Sequence, residues 1–337
     1  MNIYKLLKIN WLIKNPRIKF LGIYLLHKMN QRYIAVHFDP VMACNLRCKM
    51  CYFTDENYVK KTKGIFPEED LSILANKMFN RALKLQIGCG TEPTLYKKLP
   101  QIVQLGKQHK VPYISLTTNG NLLTKEKVNE LVIAGLNEFT ISLHGVKKET
   151  YEDFMGKASF EKFHEVLQAI ADAKSINPQL TLRINYTFNK DNFTELKDFF
   201  SIYGKYNPNV LQIRPMKKMG DTTYQDTNIT SLKDTYDDVL DLIKTEAKKR
   251  EMILMATSNY ERLISEKNVE SSVYNFTYCY IRPGFTWKDN FDYKTDNFND
   301  FAKKIGLSKT LLTNVFASQK KLNVLETKTS LNYKIIE

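Results

Sequence analysis

The sequence predicts an α/β protein built on a parallel sheet, either an open doubly wound sheet or a full or partial barrel. Three observations lead there. Six short apolar runs rich in β-branched residues recur from residue 34 onward, each bounded by turn residues, as buried parallel strands are. Segments with helical spacing separate them in strict alternation, the pattern of repeated strand–helix units. A chain of 337 residues, 43% hydrophobic and 26% charged, is long enough to bury one large core or two ordinary ones.

The runs are Ile34 to Phe38, Leu83 to Ile87, Tyr113 to Thr117, Glu138 to Leu143, Leu180 to Thr187 and Val210 to Arg214. Between the first two, Leu71, Leu74, Ala75, Met78 and Phe79 repeat at helical spacing behind Pro67 and three acids, which suit a helix N-terminus. Thr124 opens a helix that Gly135 closes. Ser159 caps a helix carrying Phe160, Phe163, Leu167, Ile170 and Ala171. Ser231 and Asp234 read as a capping box before Tyr236, Val239, Leu240 and Ile243. In either architecture, chemistry belongs on the loops leaving the strands' C-terminal ends.

"ACNLRCKMCYF", residues 43 to 53, is the first such loop, and it holds three of the chain's five cysteines. At this composition the spacing of Cys44, Cys48 and Cys51 arises by chance in roughly one shuffled chain per thousand. Five cysteines, odd in number and clustered, do not make a secreted disulfide framework and place the chain in a reducing cytosol. Thiolates suit zinc or an iron–sulfur cluster. A closed structural zinc site takes four protein ligands, and no His follows nearby; His37 lies seven residues upstream. On a cubane cluster three thiolates leave one iron free for a small molecule.

This C-x-x-x-C-x-x-C loop after a first strand resembles the radical S-adenosylmethionine (SAM) superfamily, over about residues 34–215. The resemblance implies a partial (β/α)6 TIM-like barrel. It implies one [4Fe–4S] cluster on Cys44, Cys48 and Cys51, with SAM chelating the fourth iron. It further implies reductive cleavage of SAM to methionine and a 5′-deoxyadenosyl radical that abstracts hydrogen from a substrate. "GCGTEPTL" follows the second run, where the family has a Gly-Gly-Glu-Pro-like stretch that holds the SAM amino group through its backbone and Glu. Gly90, Glu92 and Pro93 match it, and Thr91 replaces the second glycine. Thr118, Asn119 and Gly120 are similar to a Thr-Asn-Gly turn of the family. Ser142 and Asn185 match positions that meet SAM, Arg214 is placed to neutralise its carboxylate or a substrate anion, and His144 is placed to line the cavity. Where many members have an aromatic residue beside adenine, this chain has Met50, with Tyr52 just beyond. Cys89 is expected to be a passive small thiol.

Outside this core, residues 1–33 form a basic arm and 216–337 hold a last helix and a C-terminal extension. Net charge is +14, and residues 1–38 carry seven Lys and Arg with no acid. Residues 301–337 add seven Lys against Glu326 and Glu337. No apolar run approaches the ~20 residues that span a bilayer, and Lys or Arg interrupts every candidate signal segment. Ile3, Leu6, Leu7, Trp11 and Leu12 among lysines fit either an arm packed on the barrel or a segment lying on anionic lipid. The expected location is cytoplasmic, with peripheral membrane contact through this arm an open alternative. Residues 274–301 hold ten aromatics in 28 positions and read as a cap on the barrel mouth or a satellite core. One thiol there, Cys279, cannot hold a second cluster. "FAKKIGLSKTLLTNVFASQK" has the outline of two short helices around Gly306, a weak sign of nucleic-acid binding. A small acidic electron donor such as flavodoxin or ferredoxin fits the basic surface, and the substrate is a small molecule or peptide. The competing reading is a non-enzymatic, nucleic-acid-binding protein with zinc on the Cys trio and Cys89. It accounts for the charge, but not for Glu92 and Asn119 at strand ends.

Overall fold

A computed structural model describes residues 3–217, 220–265, 271–288, 290–326 and 334–336. The six expected strands are present as β1 (Ile34–Phe38), β2 (Ala82–Ile87), β3 (Tyr113–Thr118), β4 (Glu138–Leu143), β5 (Thr181–Phe188) and β6 (Val210–Pro215). They stand parallel and in chain order. Two further parallel strands extend the row: β7 (Ile253–Ala256) beside β6, and β8 (Tyr278–Arg282) beside β1. Antiparallel strands β9 (Phe285–Thr286) and β10 (Lys334–Ile336) finish the edges, giving the order β9-β8-β1-β2-β3-β4-β5-β6-β7-β10. The sheet is therefore an open, partial barrel, wider than the six strands legible in sequence.

Its two faces differ chemically. Phe139, Ile141 and Leu143 on β4, and Leu182, Ile184 and Tyr186 on β5, are wholly buried beneath the helices. The alternate residues Glu138, Thr140 and Ser142, then Arg183, Asn185 and Thr187, line the other face. That face is concave. Glu138 on β4 and Arg183 on β5 both act electrostatically on Lys84 of β2. In a flat sheet, β2 and β5 would stand ~14 Å apart at ~4.8 Å per strand. Curling brings the charges together across a polar lumen.

The main helices are α1 (Ile3–Leu12), α2 (Pro16–Lys28), α3 (Leu71–Met78), α4 (Leu99–Gln108), α5 (Lys125–Ala134), α6 (Phe160–Ile176), α7 (Phe199–Tyr203), α8 (Tyr236–Lys249), α9 (Phe298–Lys304) and α10 (Leu307–Val315), with further short ones at Glu56–Lys61, Lys148–Phe154, Tyr260–Ser265, Tyr274–Thr277 and Gln319–Val324. Thr124 Oγ1 accepts from Lys127 N at 3.3 Å, and Gly135 ends α5 at φ 104°. Ser159 Oγ accepts from Lys162 N at 3.2 Å at the start of α6. The capping box at Ser231 and Asp234 does not form. Thr230–Leu232 is a 3-10 turn that leads into α8, and Thr235 makes no side-chain cap. The carbonyls of Ile229, Thr230 and Leu232 take the amides of Leu232, Lys233 and Thr235, so these donors are met without a side chain.

The N-terminal arm packs on the barrel. Tyr4 of α1 donates its hydroxyl to Glu138, the first residue of β4, which also accepts from Tyr113 at 2.7 Å and Thr140 at 2.8 Å. Ile3 and Tyr4 join Tyr113, Val210 and Met255 in an apolar plug at the strands' N-terminal ends. Tyr4→Phe should cost about 1.5 kcal/mol, because it removes one donor from a buried carboxylate that keeps two others. Urea denaturation of the unloaded protein reads this, and an unchanged midpoint would count against the plug.

The helix pair around Gly306 has a packing role. Gly306 is at φ 64°, α9 buries Phe298, Phe301 and Ala302, and α10 packs along α2 with Leu307 and Leu311 buried. The aromatic-rich stretch contributes strand β8 and edge strand β9, with Trp287, Phe291, Phe298 and Phe301 in the main core. Lys328 of the basic tail lies outside the described residues.

Candidate active site

The cysteine loop leaves β1 at Asp39, which is fully buried. Asp39 was not singled out in the sequence, yet it organises the next loop. Its carboxylate accepts from Cys89 N at 2.7 Å, Gly90 N at 3.2 Å and Thr91 Oγ1 at 3.0 Å, and from Tyr280 Oη of β8 at 2.7 Å. Thr91 therefore has a reason to stand where a glycine was expected: its hydroxyl supplies a bond that glycine lacks. The one available signal was an acid directly after a strand, five residues before Cys44.

Neither glycine of this loop has room for a side chain as the loop stands. Gly88 has φ 81°, and a Cβ there would stand 2.3 Å from Thr117 O. A Cβ on Gly90 would stand 2.3 Å from Tyr52 Oη, whose hydroxyl donates to Gly90 O. Tyr52 thus ties the cysteine loop to this loop, and Glu92 N→Ala43 O at 2.9 Å ties them again.

Glu92 faces inward. Its carboxylate accepts from Thr94 N at 3.1 Å, Thr94 Oγ1 at 2.5 Å, Thr118 Oγ1 at 2.6 Å and Asn119 N at 2.9 Å. Burial raises its pKa, and these hydrogen bonds oppose the rise. The side chain fastens the β3 turn to the loop. Pro93 begins the following 3-10 turn and packs on Gly88. Asn119 Nδ2 then reaches back to Asn45 Oδ1 at 2.8 Å and Cys44 Sγ at 3.9 Å.

The three cysteines are partly buried free thiols. Arg47–Cys48 pairs antiparallel with Met155–Gly156, and Cys51 N bonds Cys48 O at 2.8 Å. Burial raises all three thiol pKa values, that of Cys44 to about 12, and for Cys44 and Cys48 neighbouring thiolates add to the rise. Thiols pushed up this way need cationic charge to ionise, and an iron–sulfur cluster would supply it. Among the described residues no three His, Cys, Asp or Glu side chains converge on a single ion. In a cubane each thiolate binds a different iron, so its sulfurs stand farther apart than the ligands of one ion. The donor set fits a [4Fe–4S] cluster.

The other expected contacts fall in two places. Ser142 and Asn185 are register partners on β4 and β5, and Thr187 and Arg214 pair one rung above, joined at 3.1 Å through Arg214 Nε and Thr187 Oγ1. Asn185 Oδ1 accepts from Arg183 Nε at 2.8 Å. Met50 is placed differently: its Sδ accepts from Asn189 Nδ2 at 3.4 Å, in a buried cluster with Phe154 and Met216. The lumen also holds His37, its pKa pushed down to about 3 by burial and then by Lys84. Cys89 Sγ lies 3.5 Å from His37 Nδ1. His144 is held neutral by burial and then by Arg214, at about 4, and its Nδ1 has no partner among the described residues.

Comparison with known proteins agrees with this geometry. The radical SAM superfamily profile matches residues 40–201. A probable GTP 3′,8-cyclase of Saccharolobus islandicus (strain M.14.25 / Kamchatka #1) is 28% identical over 180 residues, 52% of this chain and 55% of the relative. The chain thus spans about half the length of the curated relatives it matches. Streptococcus suis SuiB bound to precursor peptide SuiA shares the fold with a TM-score of 0.61 at 15% identity, over 88% of this chain and 70% of that one. Native anSMEcpe with bound AdoMet gives 0.51 at 19%, over 65% and 62%. With its cysteine loop, glycine-bearing loop and Asn119 turn bonded together at the ends of adjacent parallel strands, the segment 40–201 matches the radical SAM superfamily, enzymes that use a [4Fe–4S] cluster and S-adenosylmethionine.

Proposed function

We propose that Cys44, Cys48 and Cys51 hold the cluster and that SAM sits over the loop from Gly88 to Thr91. When bound, the cluster would supply the electron for reductive cleavage of the SAM C5′–S bond, chemistry that yields methionine and a 5′-deoxyadenosyl radical able to take hydrogen from a substrate. One observation carries this reading: three loops from β1, β2 and β3 share hydrogen bonds around Cys44. The backbone at Gly90 and Thr91, held by Asp39, meets the SAM amino group. Ser142, Asn185 and Arg214 face its ribose and carboxylate, and Tyr52 keeps the loops closed against water. Met50 acts from beneath, by packing.

The substrate, a small molecule or peptide, enters the lumen. Lys84, Arg183 and Arg214 stand there against Asp39 and Glu138, which favours a substrate bearing an anionic group. The relative named as a GTP 3′,8-cyclase acts on such a molecule by its name. An acidic flavodoxin- or ferredoxin-like donor suits a chain of net charge +14. The test is anaerobic reconstitution, then reductant and SAM, with 5′-deoxyadenosine measured. Formation of the nucleoside with ~4 iron per chain is expected. Zinc without sulfide, in protein purified without air, would instead favour the zinc-binding reading.

A further inference from the structure

The second helix presents an apolar face to solvent. Each residue turns the helix by about 100°. Phe20, Ile23, Tyr24 and His27 therefore share the inner face: Phe20 and Ile23 are buried, and the Phe20 ring meets Phe276 at 5.4 Å. Ile18, Leu21, Leu25, Leu26 and Met29 share the outer face, and Ile18 is 54% and Met29 65% exposed. Gly22 lies among them with nothing within 4 Å of where a side chain would project. A helix packed on one side should be polar on the other; this one is not. The preceding α1 repeats the pattern. Ile3 and Tyr4 are fixed in the barrel plug, while Leu6, Ile9 and Leu12, spaced three apart, point outward, with Leu12 79% exposed.

Charge decides what covers this face. Arg17, Lys19 and Lys28 flank the outer stripe of α2, Lys5 and Lys8 lie on α1, and the first acid of the chain is Asp39. A second copy of the chain would bring two such acid-free segments together. An anionic lipid surface complements both features, taking the apolar side chains below its headgroups and the cations among them. Among the described residues no helix is long and apolar enough to cross a bilayer, so the helices would lie in its plane. We propose that α1 and α2 form a docking surface for an anionic membrane. The inference does not rest on the cluster chemistry, and unloaded protein can test it.

Vesicle flotation of the full-length protein reads it directly. Wild type should float with phosphatidylcholine vesicles containing ~30% phosphatidylglycerol at least ~10-fold better than with phosphatidylcholine alone, and added salt should weaken that binding. Leu21→Glu with Leu25→Glu, and separately Lys19→Glu with Lys28→Glu, change only exposed or half-exposed positions. Each pair should lower flotation ~10-fold while circular dichroism stays that of wild type. Failure of wild type to float, equal binding to neutral vesicles, or variants that float like wild type would overturn the proposal. So would a solution dimer that Leu21→Glu with Leu25→Glu dissociates, which would assign the face to a second copy.

Discussion

Cys48→Ala should lose its iron and sulfide on anaerobic reconstitution, from ~4 iron per chain to below ~1, and 5′-deoxyadenosine formation should fall to background. Cys48 lies in the two-residue strand that pairs with Met155–Gly156, so its backbone is held in register there. The neighbouring loop allows no adjustment, because a Cβ on Gly156 would stand 2.8 Å from Arg47 O. Two remaining thiolates would hold a cubane by half its corners. Cys89→Ser is the control. That thiol contacts His37 and lies after β2, so cluster content should stay as in wild type. Wild-type iron and sulfide in Cys48→Ala would remove Cys48 from the ligand set; loss in Cys89→Ser would add Cys89 to it.

Asp39→Ala should destabilise the unloaded protein by about 3 kcal/mol and weaken SAM binding to the reconstituted enzyme at least ~10-fold. Four donors converge on this carboxylate: two backbone amides, the Thr91 hydroxyl and the Tyr280 hydroxyl. Leaving one buried donor unpaired costs about 1–3 kcal/mol, and water entering from the lumen offsets part of the sum. The loop that loses its anchor is the one proposed to carry the SAM amino group. Asp39→Asn should fall between, since it keeps an acceptor oxygen but adds a donor that must find its own partner. Urea denaturation gives the stability and equilibrium dialysis the affinity. An Ala variant with the wild-type midpoint and wild-type SAM binding would show that Asp39 does not organise the loop.

The legible parts of this protein are those whose signal is local. The alternation of runs and helical segments, the Thr124 and Ser159 caps and the spacing of Cys44, Cys48 and Cys51 each lie within a few residues. So does the placement of Gly90, Asn119 and Ser142 at strand ends. Parallel strands buried on the helix side read as apolar runs because that face needs every second residue to be apolar. The lumen residues between them were legible only as isolated polar positions, with no sign of which would meet.

Tertiary structure decided the rest, because it depends on pairings between distant residues. Tyr278–Arg282 is a short strand in an aromatic stretch, and only its register with β1 brings Tyr280 to Asp39, 241 positions away. Glu92 read as a ligand-binding carboxylate, and nothing local showed that Thr118 and Asn119, brought beside it by β3, would donate to it. Met50 is buried beside Phe154 and Met216, where Asn189, beyond the end of β5, donates to its sulfur. The basic arm was ambiguous between barrel packing and lipid contact. The fold shows which of its residues pack: Ile3, Tyr4, Phe20 and Ile23 are buried, and the face carrying Ile18, Leu21, Leu25 and Met29 is left exposed. Helical spacing fixes which residues share a face; only the packed neighbours determine which face is covered.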